Sequence, residues 1–440
     1  MKLWPVAKAY IDTHLQLKVG AAAQEARARR RLVYAVRQAY REVPLYRRRF
    51  DEAGISIEQF RGPEDLHRLP FLTKADVQAN FPGDIVARGA KLDRCVHSAT
   101  TGSSGKATNF AFSEETYGHY LACSLRELSM VGYRPWHKLV YIKYSAVPQP
   151  SAALGPLFRT AHVPSMVPVE EHIARLRAER PDVLIGYASL IYEVARRASD
   201  EDLRYIRPKL ISLNSEMSTQ EQRNFISERL GCPVYDEYSC EETWMIAAQC
   251  RHHNYHIFTD NVWVEFVGPD GKEVPPGEIG EIVITGLRSP VMPFIRYRIG
   301  DLGRRSTRQC DCGIGFPLLE SFEGRADDAF ILSNGGRVPS LKLLNTFTTF
   351  IKSDLGLMDE FKLVQTDLGK ATVLLVKGPA YRAERIEALC ERLQSIIPEP
   401  IDFTVELVEC VNDPGTVKHK AIESRVDPAR VAASSELESA

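Results

Sequence analysis

The sequence lacks the long uninterrupted apolar segment that a membrane-spanning helix requires. Such a helix needs ~18 or more consecutive apolar residues, and no stretch of the 440 residues comes near that length. The first residues contain no apolar core followed by a small-residue cleavage site, so we expect no secretion signal. A membrane-spanning protein is therefore not predicted.

An excess of charge of either sign is also missing. The chain has 56 Lys and Arg residues against 57 Asp and Glu residues, which leaves a net charge of -1. Proteins whose main task is to bind nucleic acid usually carry a clear positive excess, so that class is not favoured. With 44% hydrophobic and 26% charged residues, the composition is that of an ordinary globular protein. The length allows roughly two to three domains.

Positive charge is nevertheless concentrated at one place. A predicted helix over residues 21–43 carries Arg27, Arg29, Arg30 and Arg31 near its start. A solvated helix face is the usual interpretation of such a run. The alternative is a patch that binds nucleotide phosphates or RNA.

Disulfides are not expected, because the nine cysteines are odd in number and irregularly spaced. Reduced thiols in a cytoplasmic protein are the usual interpretation. Cys250, His256, Cys310 and Cys312 are a candidate exception, because three thiolates and one imidazole suit tetrahedral Zn²⁺. Free buried thiols are the alternative interpretation.

The candidate zinc site leaves no open coordination position, so its role would be structural. Two neighbouring histidines, His252 and His253, could replace His256 as the fourth ligand.

The distribution of apolar residues predicts an α/β fold. Apolar runs at 139–144, 183–187, 210–213 and 233–236 alternate with helical patterns, which favours βαβ units and a largely parallel sheet. The predicted helices lie at 21–43, around 117–128, at 170–180 and at 219–230.

After about residue 255 the predicted pattern changes from alternating strands and helices to strands that follow one another. Strands predicted at 262–267 and 279–285 are closely spaced, which favours an antiparallel or barrel-like subdomain. Beyond a polar segment at 324–328 lies a smaller α+β unit. We therefore predict a large domain over 1–326, a small C-terminal domain over 328–426 and a frayed tail over 427–440.

The most informative local segment is the glycine- and hydroxyl-rich sequence TTGSSGK at 100–106. Glycines let several backbone N–H groups face one anion, and the hydroxyls and the lysine add further donors. The segment is not a Walker loop, because Thr100 stands where glycine is required and Ala107 follows the lysine. It predicts a phosphate-binding loop, with a plain flexible loop as the alternative.

Taken in order, the motifs of the chain resemble the phenylacetate–CoA ligase branch of the adenylate-forming superfamily of acyl-CoA synthetases. The resemblance covers nearly the whole chain. Its motifs lie at residues 43–54, 69–74, 100–106, 180–187, 238–242, 293–301 and 324–328 and at a lysine near the C-terminus.

The resemblance implies that the protein uses ATP and Mg²⁺ to convert a carboxylic acid into an acyl-adenylate, and then transfers the acyl group to a thiol, most simply that of CoA. It also implies that the small C-terminal domain is mobile and turns at a hinge, Asp327. Tyr144, Tyr187 and Tyr235 suggest a flat, partly polar pocket for an aromatic acid, although core packing explains them equally well.

The resemblance also implies roles for single residues. Asp301 would accept hydrogen bonds from both ribose hydroxyls, Arg325 would lie near the ribose and the phosphates, and Lys418 would stabilise the phosphoryl charge. The remaining nucleotide-binding residues implied by the resemblance are Thr100, Thr101, Gly102, Ser103, Ser104, Gly105, Lys106, Glu216 and Tyr238. The implied acid pocket is formed by Tyr144, Gly186, Tyr187, Ala188, Asn214 and Ser215.

Two of these assignments depart from the family pattern. Glu242 would be the catalytic glutamate that binds Mg²⁺, but Ser239 and Glu241 replace the usual glycine and threonine. Either Glu241 or Glu242 could therefore meet the metal, and Glu241 could instead face the acid. The expected glycine before Lys418 is Val417, which leaves Lys420 as the fallback lysine.

Alternatives at the level of function also remain open. The segment at 334–340 is one residue shorter than the family pattern, which weakens the case for CoA. An amine or a carrier-protein thiol could be the acceptor, or an inorganic acid such as nitrite could be activated. A catalytically inactive scaffold is a third hypothesis. The sequence does not decide between a monomer and a dimer.

Overall fold

A computed structural model of the chain describes residues 3–100, 108–144, 156–325, 328–334, 336–354, 356–411 and 420–426. The chain divides into two compact units, each built from two segments. The first contains residues 1–135 and 235–322, and the second contains residues 136–234 and 323–440.

The described residues form α-helices separated by strands. The helices are α1 (Leu3–Gln16), α2 (Ala21–Glu42), α3 (Pro44–Glu52), α4 (Lys74–Asn80), α5 (Glu114–Met130), α6 (Val169–Glu179), α7 (Ala188–Arg197), α8 (Asp200–Leu203), α9 (Gln220–Leu230), α10 (Ser340–Ser353) and α11 (Ala383–Ile396). None of these helices combines the length and the apolar character that crossing a bilayer requires.

The strands alternate with these helices in the middle of the chain and follow one another directly elsewhere. They are β1 (Val96–Thr100), β2 (Thr108–Phe112), β3 (Leu139–Lys143), β4 (Thr160–Pro164), β5 (Val183–Tyr187), β6 (Leu210–Asn214), β7 (Val234–Cys240), β8 (Trp244–Gln249), β9 (Tyr255–Ile257), β10 (Val262–Val267), β11 (Gly280–Gly286), β12 (Tyr297–Arg305), β13 (Leu318–Arg325), β14 (Phe330–Ile331), β15 (Arg337–Val338), β16 (Met358–Asp367), β17 (Lys370–Lys377), β18 (Asp402–Leu407) and β19 (Ile422–Ser424).

Antiparallel strands dominate the first unit. Their order is β10-β11-β12-β13-β9-β8-β7, and β1 and β2 form a separate hairpin. Because β10 is the edge strand, these strands form an open sheet, and the barrel-like closure expected from the sequence is not found among the described strands. Close spacing of strands predicts hairpins, but it does not determine whether the last strand returns to the first.

Aromatic side chains fill the core of the first unit. Phe110, Phe112, Tyr120, Phe294 and Tyr297 are buried in it, with ring centroids of neighbouring pairs 5.5 to 6.4 Å apart. Each such ring buries a large apolar area. This core holds α2, α3, α5 and the strands β10 to β12 together.

The second unit contains the predicted parallel sheet, in the order β6-β5-β3-β4. Every residue of β5 and β6 is buried, which explains why apolar residues dominate both strands instead of alternating with charged ones. Helices α6, α7 and α9 cover the sheet with side chains such as Leu176, Ile191 and Ile226.

The C-terminal part of this unit has its own sheet, in the order β18-β17-β16-β19, packed with α10 and α11. The predicted α/β class and these C-terminal elements are thus confirmed. The predicted hinge residue Asp327 and the tail over 427–440 lie outside the described residues, so the predicted domain boundary remains a prediction.

Candidate active site

The β1–β2 hairpin frames the predicted phosphate loop. Thr100, the last residue of β1, pairs with Thr108, the first residue of β2. The residues between them, 101–107, lie outside the described part of the chain. The loop assignments of Thr101 to Lys106 therefore remain predictions, while the two strands that carry the loop are defined.

The strand that leads into the loop contacts the 238–242 motif. The Ser98 hydroxyl donates a hydrogen bond to the Glu241 carboxylate across 143 positions of the sequence. Ser98 and Thr100 lie two residues apart on β1, so their side chains are on the same face of the strand. The structure thus joins two motifs that the sequence could only place separately.

Tyr238 joins the same motif to the predicted ribose-binding acid. Its hydroxyl donates a hydrogen bond of 2.7 Å to Oδ2 of Asp301. Both residues are buried, Tyr238 on β7 and Asp301 on β12. The hydrogen bond fixes the carboxylate in the interior of the first unit.

The two neighbouring glutamates of the motif lie in different surroundings. Glu242 is buried, and its Oε1 accepts a hydrogen bond of 2.7 Å from the hydroxyl of Tyr297. Burial raises the pKa of Glu242, and the hydrogen bond from Tyr297 partly opposes that shift. Glu241 is only half-buried, and its carboxylate is the one that contacts Ser98.

Several predicted acid-pocket residues lie at the carboxyl ends of parallel strands in the second unit. Tyr187 ends β5 directly opposite Asn214, which ends β6. Gly186 allows close packing here, because a Cβ atom at this position would lie 3.0 Å from the Ile142 carbonyl oxygen. Ligands of open α/β sheets bind outside such strand ends.

The predicted acid-pocket residues at these strand ends differ in exposure. Tyr144, just after β3, is 57% exposed, whereas Ala188 is buried. Burial raises the pKa of Tyr187, whose hydroxyl is also hydrogen-bonded to the Tyr144 backbone. The predicted pocket residues of the second unit are therefore brought together. Tyr235, which belongs to the first unit, stacks on His253 with ring centroids 5.0 Å apart.

The segment after β6 turns sharply. Ser215 has a φ of 63°, a left-handed conformation that only a tight turn normally imposes on serine. The turn brings the Glu216 carboxylate to the start of α7, where Oε2 accepts a hydrogen bond of 3.0 Å from the Ser189 N–H. A carboxylate at a helix N-terminus is favoured by the unpaired N–H groups there.

Arg325 ends β13 with an exposed side chain, directly after Gly324. Gly324 has a φ of 99°, and a Cβ atom at this position would lie 2.2 Å from the Ser340 hydroxyl oxygen. The positive φ favours glycine at position 324, and any other residue would also displace the Ser340 hydroxyl.

Of the two candidate C-terminal lysines, one lies among the described residues. Lys418 lies outside the described residues, so its catalytic assignment remains a prediction. Lys420, the fallback, forms an ion pair of 2.6 Å with Asp328, the residue after the predicted hinge.

Four predicted metal ligands converge in the first unit. The ligand atoms of Cys250, His256, Cys310 and Cys312 all lie within 4.8 Å of one another. The Sγ atoms of Cys250 and Cys310 are 3.6 Å apart, and Sγ of Cys312 is 3.2 Å from Nε2 of His256. Zn–S bonds of ~2.3 Å in a tetrahedron place two sulfurs ~3.8 Å apart, whereas a disulfide would place them at ~2.05 Å.

Neighbouring groups orient this Cys/His cluster. Nδ1 of His256 hydrogen-bonds to the Phe316 carbonyl at 3.2 Å, which leaves Nε2 facing the thiols. The Asn254 side chain donates to Sγ of Cys310 at 3.3 Å, and the His252 N–H donates to Sγ of Cys250 at 3.4 Å. Such N–H donors stabilise thiolates.

Sequence reasoning did not identify Ser98 and Tyr297 as members of the site. The alternation along β1 could have marked Ser98, because it shares a face with Thr100. Tyr297 lies inside the motif at 293–301, but nothing in the sequence indicates that its hydroxyl faces Glu242.

The fold defines the general class. A crystal structure of 2-hydroxyisobutyryl-CoA ligase in the postadenylation state, in complex with R3-HIB-AMP, has a TM-score of 0.75 and 23% identity, and the match covers 97% of this chain and 94% of that chain. The fold is thus that of an adenylate-forming CoA ligase.

Sequence comparison identifies the more particular resemblance. Phenylacetate-coenzyme A ligase of Thermus thermophilus is 29% identical over 336 residues, 71% of each chain. The Escherichia coli protein of the same name is 28% identical over 360 residues, 77% of each chain. No family model matches the chain. The predicted resemblance to phenylacetate–CoA ligases is confirmed.

Proposed function

We propose that the protein is an AMP-forming acid–CoA ligase, which adenylates a carboxylic acid with ATP and transfers the acyl group to CoA. The observation that carries this proposal is the connected set formed by Ser98, Glu241, Tyr238 and Asp301, which joins the base of the predicted phosphate loop to the predicted ribose acid. The similarity to phenylacetate–CoA ligases supports the same activity.

In the first half-reaction, a carboxylate oxygen attacks the α-phosphorus of ATP, the bond to the β-phosphate oxygen breaks, and diphosphate leaves. We assign Asp301 to the ribose hydroxyls, because a carboxylate offers two acceptor oxygens to two O–H donors. The loop at 100–106, Arg325 and Lys418 would stabilise the phosphate charge by positioned donors and cations. Glu216 and Tyr238 would support the nucleotide.

In the second half-reaction, the CoA sulfur attacks the acyl carbonyl, and AMP leaves with the electrons of the broken C–O bond. The relatives' name favours an arylacetic acid as the substrate. The aromatic ring of Tyr187 at the end of β5 supports the same class, because it provides a flat apolar surface beside the polar Asn214 and Ser215.

Carboxylate oxygens are the ligands that Mg²⁺ prefers, so the Glu241–Glu242 pair fits this ion. We favour Glu241 as the ligand, because Glu242 is buried and already bound to Tyr297. The bound ion would neutralise negative charge on the phosphate oxygens. Glu241→Gln should raise the Mg²⁺ concentration for half-maximal activity ~10-fold, whereas an equal shift in Glu242→Gln alone would assign the ion to Glu242.

We further propose that the Cys/His cluster binds one structural Zn²⁺. Its soft donors and short mutual distances fit a closed tetrahedral site. The ion would tie β9 and the segment before it to the connection between β12 and β13. The first of these two strands, β12, carries Asp301.

Acid-dependent exchange of labelled diphosphate into ATP is the decisive test. Phenylacetate and other aryl acids should support exchange with Mg²⁺, and added CoA should yield the thioester and AMP. Asp301→Ala should lower exchange by ~10²–10³-fold, with Asp402→Ala, at an exposed acid on β18, as a control. Absence of exchange with a broad acid panel would refute the proposal, and faster transfer to an amine or a carrier-protein thiol would replace CoA as the acceptor.

A further inference from the structure

Helix α2 presents a row of arginines to solvent, and its two acidic residues, Glu25 and Glu42, flank this row. Residues 26–41 contain six arginines, no lysine and no Asp or Glu. Arg30, Tyr34, Arg37 and Arg41 are spaced by four, three and four residues, so they share one face of the helix over ~16 Å. Like charges at this spacing destabilise a helix, and a simple solvated face would normally mix both signs.

Some arginines of α2 have structural partners. Arg29 forms an ion pair of 2.6 Å with Glu64, Arg27 donates to Gln16, and Arg31 donates to the Asp260 carbonyl. These residues explain part of the positive charge as ordinary packing and pairing.

The remaining arginines do not have such an explanation. In the part of the chain that the structure describes, the guanidinium groups of Arg30, Arg41 and Arg61 form no ion pair. Arg37 donates only to backbone carbonyls, that of Phe60 at 3.0 Å and that of Glu58 at 3.5 Å.

These side chains line an open groove of about 840 Å³. Its walls include Arg30, Arg37, Arg41 and Arg61, with Val33 as an apolar patch. This volume is that of a small-molecule site. Five arginines line the groove against one acidic residue, Glu42, and one of them, Arg29, is paired with Glu64. The groove therefore combines a suitable size with a net positive charge.

One aromatic ring completes the groove. Tyr34 lies between Arg30 and Arg37 on the helix face and is 67% exposed, which is unusual for a large aromatic side chain. An exposed ring beside guanidinium groups provides a stacking surface for a base, while the arginines match phosphate oxygens in paired hydrogen bonds.

We propose that this α2 groove binds a phosphorylated nucleotide, with the base on Tyr34 and the phosphates on Arg30, Arg37 and Arg41. The size of the groove favours a small nucleotide over a long nucleic acid, which would need a groove that extends beyond this helix face. The site does not depend on the proposed ligase activity, because all of its residues lie between positions 26 and 61.

Equilibrium dialysis with labelled ATP tests the proposal by counting bound nucleotides. The wild-type chain should bind two per chain. Arg30→Gln/Arg41→Gln should weaken one of the two sites ~30-fold or more. Arg204→Gln/Arg207→Gln removes two exposed arginines elsewhere and should leave both sites intact. If the ligase proposal fails but this one holds, the wild type binds one nucleotide and the groove variant none.

The source of the affinity is tested with competitors. Inorganic tripolyphosphate should displace ATP from the groove, and Tyr34→Ala should weaken ATP severalfold while leaving tripolyphosphate unchanged. The same number of bound nucleotides in the wild type and in the groove variant overturns the proposal. Binding of single-stranded RNA or polyglutamate that depends on Arg30 and Arg41 and that ATP does not displace also overturns it, in favour of a macromolecular partner.

Discussion

Two buried carboxylates of the first unit differ in the charge of their hydrogen-bond partners and in the direction of their pKa shifts. Asp260 accepts hydrogen bonds from both terminal nitrogens of Arg126, at 2.8 and 3.0 Å. This pairing outweighs the effect of burial and lowers the pKa of Asp260 to about 2. Glu242 receives the neutral hydroxyl of Tyr297, and burial raises its pKa. The first carboxylate has its counter-charge within the protein, whereas no cation pairs with the second among the residues that the structure describes.

The surroundings of the two regions agree with this difference. The Arg126 guanidinium lies 4.0 Å from the ring centroid of Phe258 and 5.0 Å from that of Phe316, and its side chain is fully buried, so water is excluded from the pair. Glu242 is adjacent in sequence to the half-buried Glu241. A closed ion pair is a structural element, while a buried acid with a raised pKa beside a more accessible carboxylate is typical of a functional site.

Removing Arg126, the counter-charge of Asp260, should lower the free energy of unfolding more than any other change considered below. Arg126→Met leaves Asp260 buried without a cation and should cost ~3–5 kcal/mol of unfolding free energy. Arg175→Met, which breaks an exposed pair with Glu171, should cost less than ~0.5 kcal/mol. Urea unfolding of both variants measures the difference. Similar losses of unfolding free energy would show that the buried pair stabilises the fold no more than the exposed pair does.

The Cys/His cluster offers the next largest effect, because Phe316 connects it to Arg126. Cys312→Ser should weaken zinc binding by ~100-fold or more and lower the midpoint of thermal unfolding. Cys95→Ser, at a cysteine outside the cluster, should retain the metal. Zinc is measured by elemental analysis of the purified chains. A wild-type protein without zinc contradicts the assignment.

Neutralising each carboxylate compares the two regions directly. Asp260→Asn should be destabilising by ~2–3 kcal/mol, because it leaves Arg126 buried without its anion. Glu242→Gln should change the unfolding free energy by less than ~1 kcal/mol near pH 8, because it removes a charge that burial disfavours. Equal losses in urea unfolding would remove the distinction between a paired and an unpaired acid.

Per pH unit, a smaller change in unfolding free energy is expected from His119, which lies near the Arg126–Asp260 pair. Burial and the nearby charge of Arg288 lower its pKa to about 3 from 6.5. Between these values the unfolded chain binds the proton and the folded chain does not, so stability falls as the pH is lowered from 6.5 towards 3. The contribution approaches ~1.4 kcal/mol per pH unit. In His119→Gln this part of the pH dependence of unfolding should disappear, and an unchanged profile would contradict the assignment.

Much of the fold was predictable because burial leaves a direct trace in the sequence. The runs at 183–187 and 210–213 are rich in branched apolar residues, and they became the fully buried strands β5 and β6. By contrast, β12 contains Arg298, Asp301 and two further arginines, and no apolar run marks it. Its role as a strand depends on its pairing with β11.

The candidate site was predictable in its residue types more than in its contacts. The Cys/His cluster was found because thiols and imidazoles are rare and chemically distinctive. The contact between Ser98 and Glu241 joins residues 143 positions apart, and no local pattern specifies such a distance. Arg126 was missed for a related reason, since nothing in a sequence marks an arginine as buried.

The backbone at Gly324 limits how this protein can be altered. With its positive φ and the Ser340 hydroxyl 2.2 Å from the position of any added Cβ, a randomised codon at 324 should return glycine most often among well-expressed clones. Tyr144 is a more tolerant position for randomisation, because its exposed side chain leaves room for replacement.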